Sequence, residues 1–373
     1  MRILFVNHTG LIGGAEHSLL ELTNLLPQHG VTPIVAAPAG PLTERLQAAA
    51  VEVHPLPLHN LLRPRNPLAA LRTLWQIRQD AQQLSRLIRR LCPDLIHANS
   101  AKAAFAATLA ARRCNIPALW HCRDLAPAGA RWLLRRAPAI AISQAVYDSL
   151  PDAPQHIYLV RNGIDLTRFD PARHERAACR HQLDLPADVP LVAMVADLVP
   201  WKGHHLLLEV AARMLLQRHD IHFVIAGSSR PEDPQLAPYL KQRATELGIG
   251  ENLIWLGHCP DTAPLYVAAD LLLHPATREP FGRVVCEALA MNCPVVVADA
   301  AGPAEIAREA SPSAVRLAVP DSADSFATAA LDLLDTDPPG RLPTRADMRL
   351  AFNIERTAGQ MVKLYHTFSV AQQ

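Results

Sequence analysis

Short apolar runs alternate with longer stretches of helical spacing from the first residue of the chain. Residues 3–7, 32–36, 95–98, 118–121, 139–142 and 157–160 are compact and rich in β-branched residues, so they read as buried strands. Between them, 16–26, 68–91 and 101–114 place apolar residues three and four apart, which predicts helices. Residues 161–190 are polar, punctuated by proline and without a strand pattern, as at a domain boundary. The alternation then restarts, with strands expected at 191–196, 222–226, 253–255, 271–274, 294–298 and 315–318. A final helix is expected from 351 to about 368. The pattern predicts an α/β protein of two doubly wound, Rossmann-like domains. The expected bounds are 1–186 (with the linker at 161–186), 187–350, and a C-terminal helix in 351–373 that packs back on the first domain. Two such domains would face each other across a cleft, with ligands at the carboxyl ends of the strands.

Length agrees, since 373 residues exceed one ordinary domain. The apolar start, Ile3 to Val6, is too short for a secretory signal, and no stretch is long enough for a membrane span. The seven cysteines form no C-x-x-C and the 17 histidines show no zinc-ligand spacing, so neither a disulfide framework nor a metal site is expected. These features predict a cytosolic protein. Charge changes the picture more. Residues 1–160 hold 16 Lys/Arg against 9 Asp/Glu, whereas the remainder is acidic, so the two halves meet different ligands. The balance is not globally basic and no aromatic stacking platform is present, which disfavours nucleic acid.

Candidate chemistry sits in loops after strands. Gly10, Gly13 and Gly14 lead into a helix, without the G-x-G-x-x-G spacing or the ribose-binding acid of a dinucleotide fold. Lys202 stands before Gly203 at another helix start, in a chain with only four lysines, and a mobile point charge there suits a phosphate. In ATREPFGRVVCEALA, Glu279 lies in a loop and Glu287 two turns into the following helix, whose free N–H groups suit a diphosphate. Taken singly, each also fits a plainer reading: a turn without ligand, a solvated lysine, exposed glutamates.

The stretch E-P-F-G-x-x-x-x-E-A-x-A resembles the E-x7-E signature of glycosyltransferase family 4, retaining enzymes of the GT-B fold. GGAEHSLLEL, VRNGIDLTRFDP, WKGH and AGPAEIARE resemble further family segments in the same order, over nearly the whole chain. The resemblance implies transfer of a sugar from a nucleoside-diphosphate sugar to a lipid-linked or polysaccharide hydroxyl, with no cofactor and no metal. It places Glu279 on the donor sugar, Glu287 on the ribose, and Lys202 on the diphosphate beside the backbone of Phe281, Gly282 and Arg283. Gly13 and Gly14 would approach donor phosphate and acceptor. His121, in LWHCRDL, would lie near the donor sugar, and Glu305 in the glycine-loop variant. Setting retention through the departing phosphate oxygen, Glu279 is a positioning and electrostatic residue.

Asp197 departs from the family, which carries arginine there; Arg283 or Arg278 is expected to supply the missing charge. That departure keeps a degenerate nucleotide-sugar binder open as an alternative, beside a GT-B sugar-nucleotide epimerase. Asp335-Thr336-Asp337 follows a helix and reads as a turn, not a metal site. Residues 61–91 carry seven arginines and one acid, Asp80, on a helix with apolar faces at Leu68, Leu71 and Trp75. Arg131, Arg135 and Arg136 form a second basic cluster beside Trp132. The helix at 68–91 reads either as a surface for anionic lipid, on the inner face of a membrane, or as a solvated basic face.

Overall fold

A strand covered on both faces has to be mostly apolar, and the interior strands of this protein are. The computed structural model describes residues 1–59, 61, 66–151, 153–230, 233–336 and 344–370. They divide into two compact units, one built from Met1–Gly163 with Ile354–Gln373, the other from Ile164–Asn353.

The first unit holds β1 (Arg2–Val6), β2 (Thr32–Ala37), β3 (Glu52–Pro55), β4 (Leu95–Ala98), β5 (Ala118–Cys122), β6 (Ala139–Ala141) and β7 (Ile157–Leu159). They form one sheet in the order β3-β2-β1-β4-β5-β6-β7, with every pairing parallel. β3 was not among the expected strands. Its sequence, EVHP, mixes polar and apolar residues because it sits at the sheet edge, half exposed. The final helix, Ile354–Val370, belongs to this unit: Ala358, Met361 and Tyr365 are fully buried in the same core as Ile3, Phe5 and Leu19.

The second unit holds β8 (Leu191–Val195), β9 (His222–Ala226), β10 (Leu253–Gly257), β11 (Leu271–His274), β12 (Val295–Ala298) and β13 (Val315–Ala318). Their order is β10-β9-β8-β11-β12-β13, again parallel throughout. Both orders reverse direction once, between β1 and β4 in the first unit and between β8 and β11 in the second. At such a switch point the following helices leave on opposite faces of the sheet and open a crevice at the strand ends.

The linker expected with the first domain is packed into the second. Arg180, on the helix Arg176–Gln182, is 4% exposed. Its guanidinium donates to the carbonyls of Ala268 (3.1 Å), Pro186 (3.0 Å), Ala187 and Val189 (2.9 Å), and to the Asp270 carboxylate (3.0 Å). Asp270 also pairs with Arg176 and accepts the backbone N–H of Leu191 at 2.9 Å. A planar cation with donors fixed in a fork can close such a loop where lysine cannot. Sequence pattern shows that 161–190 lacks a strand; it does not show which unit its arginine serves.

Replacing Arg180 with methionine strips several buried carbonyls and a carboxylate of their donor at once. The expected loss is about 3–5 kcal/mol of unfolding free energy in the second unit, read from the shift of its urea midpoint. A loss below about 1 kcal/mol would mean that water replaces the guanidinium.

Candidate functional site

In the second unit the two switch-point loops meet. After β8 the chain passes through a short turn, Pro200–Lys202, to Gly203 (φ +82°) and the helix His204–Leu215. After β11 it passes through 275–282 to the helix Arg283–Ala290. Lys202 from the first loop and Glu279 from the second form an ion pair, with side chains only 16% and 14% exposed. The Lys202 ammonium also lies 4.5 Å from the centre of the Trp201 ring. The two fully buried imidazoles near this pair, His204 and His274, are driven down to about 4 chiefly by burial, so both are neutral at neutral pH.

The loop carrying Glu279 is shaped by glycines. Gly282, at φ +96°, takes a left-handed conformation that begins the helix. Gly302 lies so close to the loop that a Cβ would stand 2.5 Å from the Cα and carbonyl oxygen of Phe281. Its N–H donates to the Glu279 carbonyl at 3.1 Å. Gly302, the glycine of the AGPAEIARE segment, therefore fixes the path of the backbone at 279–281. Phe281 itself is buried, and the Gly282 carbonyl accepts the N–H of Val285 (2.9 Å) and of Cys286 (3.4 Å) as the helix after it begins.

Glu287 is 8% exposed. It accepts a 3.0 Å hydrogen bond from the Tyr266 hydroxyl and lies 3.4 Å from the Arg283 guanidinium one turn back. Tyr266, which the sequence reading did not single out, is held protonated by burial and by the charge of Glu287. Glu305 lies in the first turns of the helix Ala301–Glu309; burial first, then the charges of Glu287 and Glu305, push the thiol of Cys286 up.

Asp197 has a counter-charge that the sequence pattern did not identify. Arg230, 33 residues on, donates to its carboxylate at 2.9 and 3.2 Å, with both side chains about half exposed. Of the two arginines expected to offset Asp197, Arg283 is turned to Glu287, while Arg278 is exposed and forms no ion pair with a described residue. Asp335 ends the helix Ala323–Asp335 and binds Arg218 at 2.9 Å; Asp337 lies outside the described residues.

In the first unit the strand ends carry a buried polar network. Gly13 caps the helix Gly14–Leu25, and its N–H donates to Glu16 at 3.1 Å. The Asn7 amide, just after β1, donates to Glu16 at 3.2 Å. Asn99, just after β4, donates to Asn7 at 2.9 Å and accepts from Arg123 at 2.8 and 3.1 Å. Arg123 follows β5 and also lies 3.2 Å from Nδ1 of His121. So Gly13, Gly14 and His121, far apart in sequence, are linked through Asn7, Asn99 and Arg123. A polar residue directly after an apolar strand was the available signal for the last three. Trp132 of the second basic cluster is covered by Arg136, whose guanidinium carbon lies 4.0 Å from the ring centre.

Comparison with known proteins follows the same division. Residues 12–168 match the Glycosyltransferase Family 4 model, and residues 175–350 match Glycosyl transferases group 1. A D-inositol 3-phosphate glycosyltransferase of Streptosporangium roseum is 33% identical over 166 residues, 43% of this chain and 38% of that protein. One from Nocardia farcinica is 37% identical over 152 residues, 39% of this chain and 33% of that protein. The matched stretch thus spans well under half the length of these relatives. A glycosyltransferase structure from Rickettsia africae superposes with a TM-score of 0.82 at 21% identity, covering 98% of both chains. The Anabaena HepE protein in complex with UDP and glucose also gives 0.82, at 23% identity over 98% of this chain and 99% of that one. Together these matches show that the chain belongs to the glycosyltransferases of the family 4 and group 1 type, with the GT-B fold.

Proposed function

We propose that this protein is a retaining glycosyltransferase that moves a sugar from a nucleoside-diphosphate sugar to a hydroxyl of a lipid-linked or polysaccharide acceptor. The observation that carries the reading is the pairing of Lys202 with Glu279 at the switch point of the second unit, beside the first turn of the helix at 283–290. When the bond from the sugar to its phosphate oxygen breaks, the electron pair leaves with the diphosphate. A fixed ammonium and a helix N-terminus are the groups that stabilise that growing charge. On this reading they do so without a metal ion. Glu279, held by Lys202, orients the sugar and does not attack it. The acceptor oxygen enters on the face the phosphate leaves and passes its proton to the departing phosphate oxygen. The binding of UDP and glucose by HepE supports a nucleotide-sugar donor. A nucleotide-binding chain without turnover is the second reading, favoured by Asp197, although Arg230 offsets that acid.

For the acceptor side we place a membrane surface on the helix Pro67–Leu91. Its outward face begins with Leu68, Leu71, Leu74 and Trp75, all more than half exposed, and continues one to four turns on with Arg78, Arg86 and Arg89. Asp80, the helix's one acid, points inward to His59 (2.6 Å), so the charged side chains of the outer face are all cationic. Arg63 and Arg65 lie outside the described residues. Apolar side chains followed by arginines on one face suit insertion among anionic headgroups. Among the described residues no helix is long and apolar enough to cross a membrane.

Thermal unfolding with UDP, GDP, ADP and their sugar conjugates tests the donor site. One base should stabilise the wild type by about 2.7 kcal/mol at 100 times its Kd, and Lys202→Ala should abolish the shift. With that donor, Lys202→Ala should also lower kcat roughly 10²–10³-fold; nucleotide binding without transfer to any acceptor would favour the second reading.

Flotation tests the membrane face. The wild type should rise with anionic vesicles and stay down with neutral ones, and Leu71→Asp with Trp75→Asp should remove the difference. Equal absence of the wild type from both would refute the lipid surface.

A further inference from the structure

The imidazole of His121 sits at the end of β5, 1% exposed, with two partners on one ring nitrogen and no hydrogen-bond partner on the other. Nδ1 is 3.2 Å from Arg123 and 3.0 Å from Nε2 of His97. Nδ1 of His97 is in turn 2.8 Å from the hydroxyl of Tyr365 on the final helix. Each of these side chains is buried, and all four belong to the first unit.

The proton order along this chain follows from one fact: every nitrogen of a guanidinium donates and none accepts. Arg123 therefore requires a lone pair on Nδ1 of His121. The same lone pair faces Nε2 of His97, which must then carry a proton. A neutral His97 with its proton on Nε2 accepts at Nδ1, so Tyr365 donates to it. The reverse order, with His121 protonated on Nδ1, would set two donors against each other at 3.2 Å. Burial keeps both rings neutral, driving His97 down to about 3 and His121 in the same direction, helped in each by the charge of Arg123. The one remaining proton of His121 is on Nε2, the nitrogen without a partner.

We propose that Arg123, His97 and Tyr365 lock His121 as an Nε2–H donor, so that it can serve a sugar or phosphate oxygen only by donating to it. On this view Tyr365, 244 residues further along the chain than His121, is a positioning residue for transfer. The part of this that concerns the sugar rests on the glycosyltransferase reading above; the tautomer does not.

The arrangement has a chemical consequence. A histidine free to exchange tautomers offers an acceptor part of the time and can pull a proton from the incoming hydroxyl. One locked as a donor can only hold an oxygen in place. His121 would then take no proton in the reaction, which agrees with a route that passes it to the leaving phosphate.

Two measurements decide it. In protein labelled with 15N at histidine, the long-range imidazole spectrum should show His121 with Nδ1 bare and Nε2 protonated, unchanged from about pH 5 to 8, the interval in which an ordinary histidine titrates. A proton on Nδ1, or titration in that interval, overturns the proposal whether or not the protein transfers sugar. In turnover, Tyr365→Phe should lower kcat roughly 5–10-fold, the factor expected for one buried hydrogen bond, with the KM for nucleotide sugar unchanged. His97→Gln, which keeps an N–H towards His121, should retain more activity than His97→Leu. Unchanged kcat in Tyr365→Phe, or equal loss in both His97 variants, overturns the positioning role. If Tyr365→Phe does not fold, the His97 pair carries the kinetic test. Absence of transfer by the wild type would count against the glycosyltransferase reading alone, since the spectrum still reports the tautomer.

Discussion

A parallel sheet covered by helices on both faces hides its whole body from solvent and leaves chemistry only one place, the row of carboxyl ends. Both units obey this constraint. In the first, Asn7, Asn99 and Arg123 follow β1, β4 and β5 directly; in the second, the loops after β8 and β11 deliver Lys202 and Glu279. The two strands that flank the reversal of order supply the paired residues in each case: Asn7 with Asn99, Lys202 with Glu279. The interior strands can then be mostly apolar, with His97 in β4 and His121 in β5 as the polar residues that the network draws from them. Gly302 belongs to the same economy of space, since the loop after β11 can lie where it does only beside a residue without a side chain.

Charge is sorted by the same geometry. Taking a guanidinium out of water is costly unless its donors are all engaged, and Arg180 and Arg123 meet that condition with carbonyls, amide oxygens, a carboxylate and an imidazole nitrogen. Each acts as a fixed hub that dictates which neighbouring atoms accept. The arginines on the outer face of Pro67–Leu91 are of the other kind, exposed and without acidic neighbours on their helix face. The excess basic charge of the first 160 residues is thus concentrated where it costs little to solvate.

Most of the fold was legible because buried parallel strands have a composition of their own. β3 escaped because an edge strand is only half covered and need not be apolar. The bounds of the units were less legible: 164–186 looks like a linker by composition, yet the contacts of Arg180 tie it to the second unit. Glu279, Lys202 and Glu287 stood out through local motifs. Their partners did not, because pairing across distant loops leaves no mark in local spacing. Tyr266 sits 21 residues before Glu287, and Arg230 sits 33 after Asp197; an apolar helix and an ordinary loop surround them. His121 was legible as a residue and illegible as a tautomer, which depends on His97 and on a tyrosine near the far end of the chain.

The return of Ile354–Val370 to the first unit has a consequence for how the chain is made. Domains fold during synthesis as their residues emerge, first parts first. Here the second unit is one continuous segment, Ile164–Asn353, whereas the first lacks Met361 and Tyr365 from its core until the helix that follows the second unit has been made. The unit translated first is therefore the one completed last. Until then a nascent chain carries an open apolar slot over Phe5 and Leu19, with the Nδ1 of His97 still waiting for its hydroxyl.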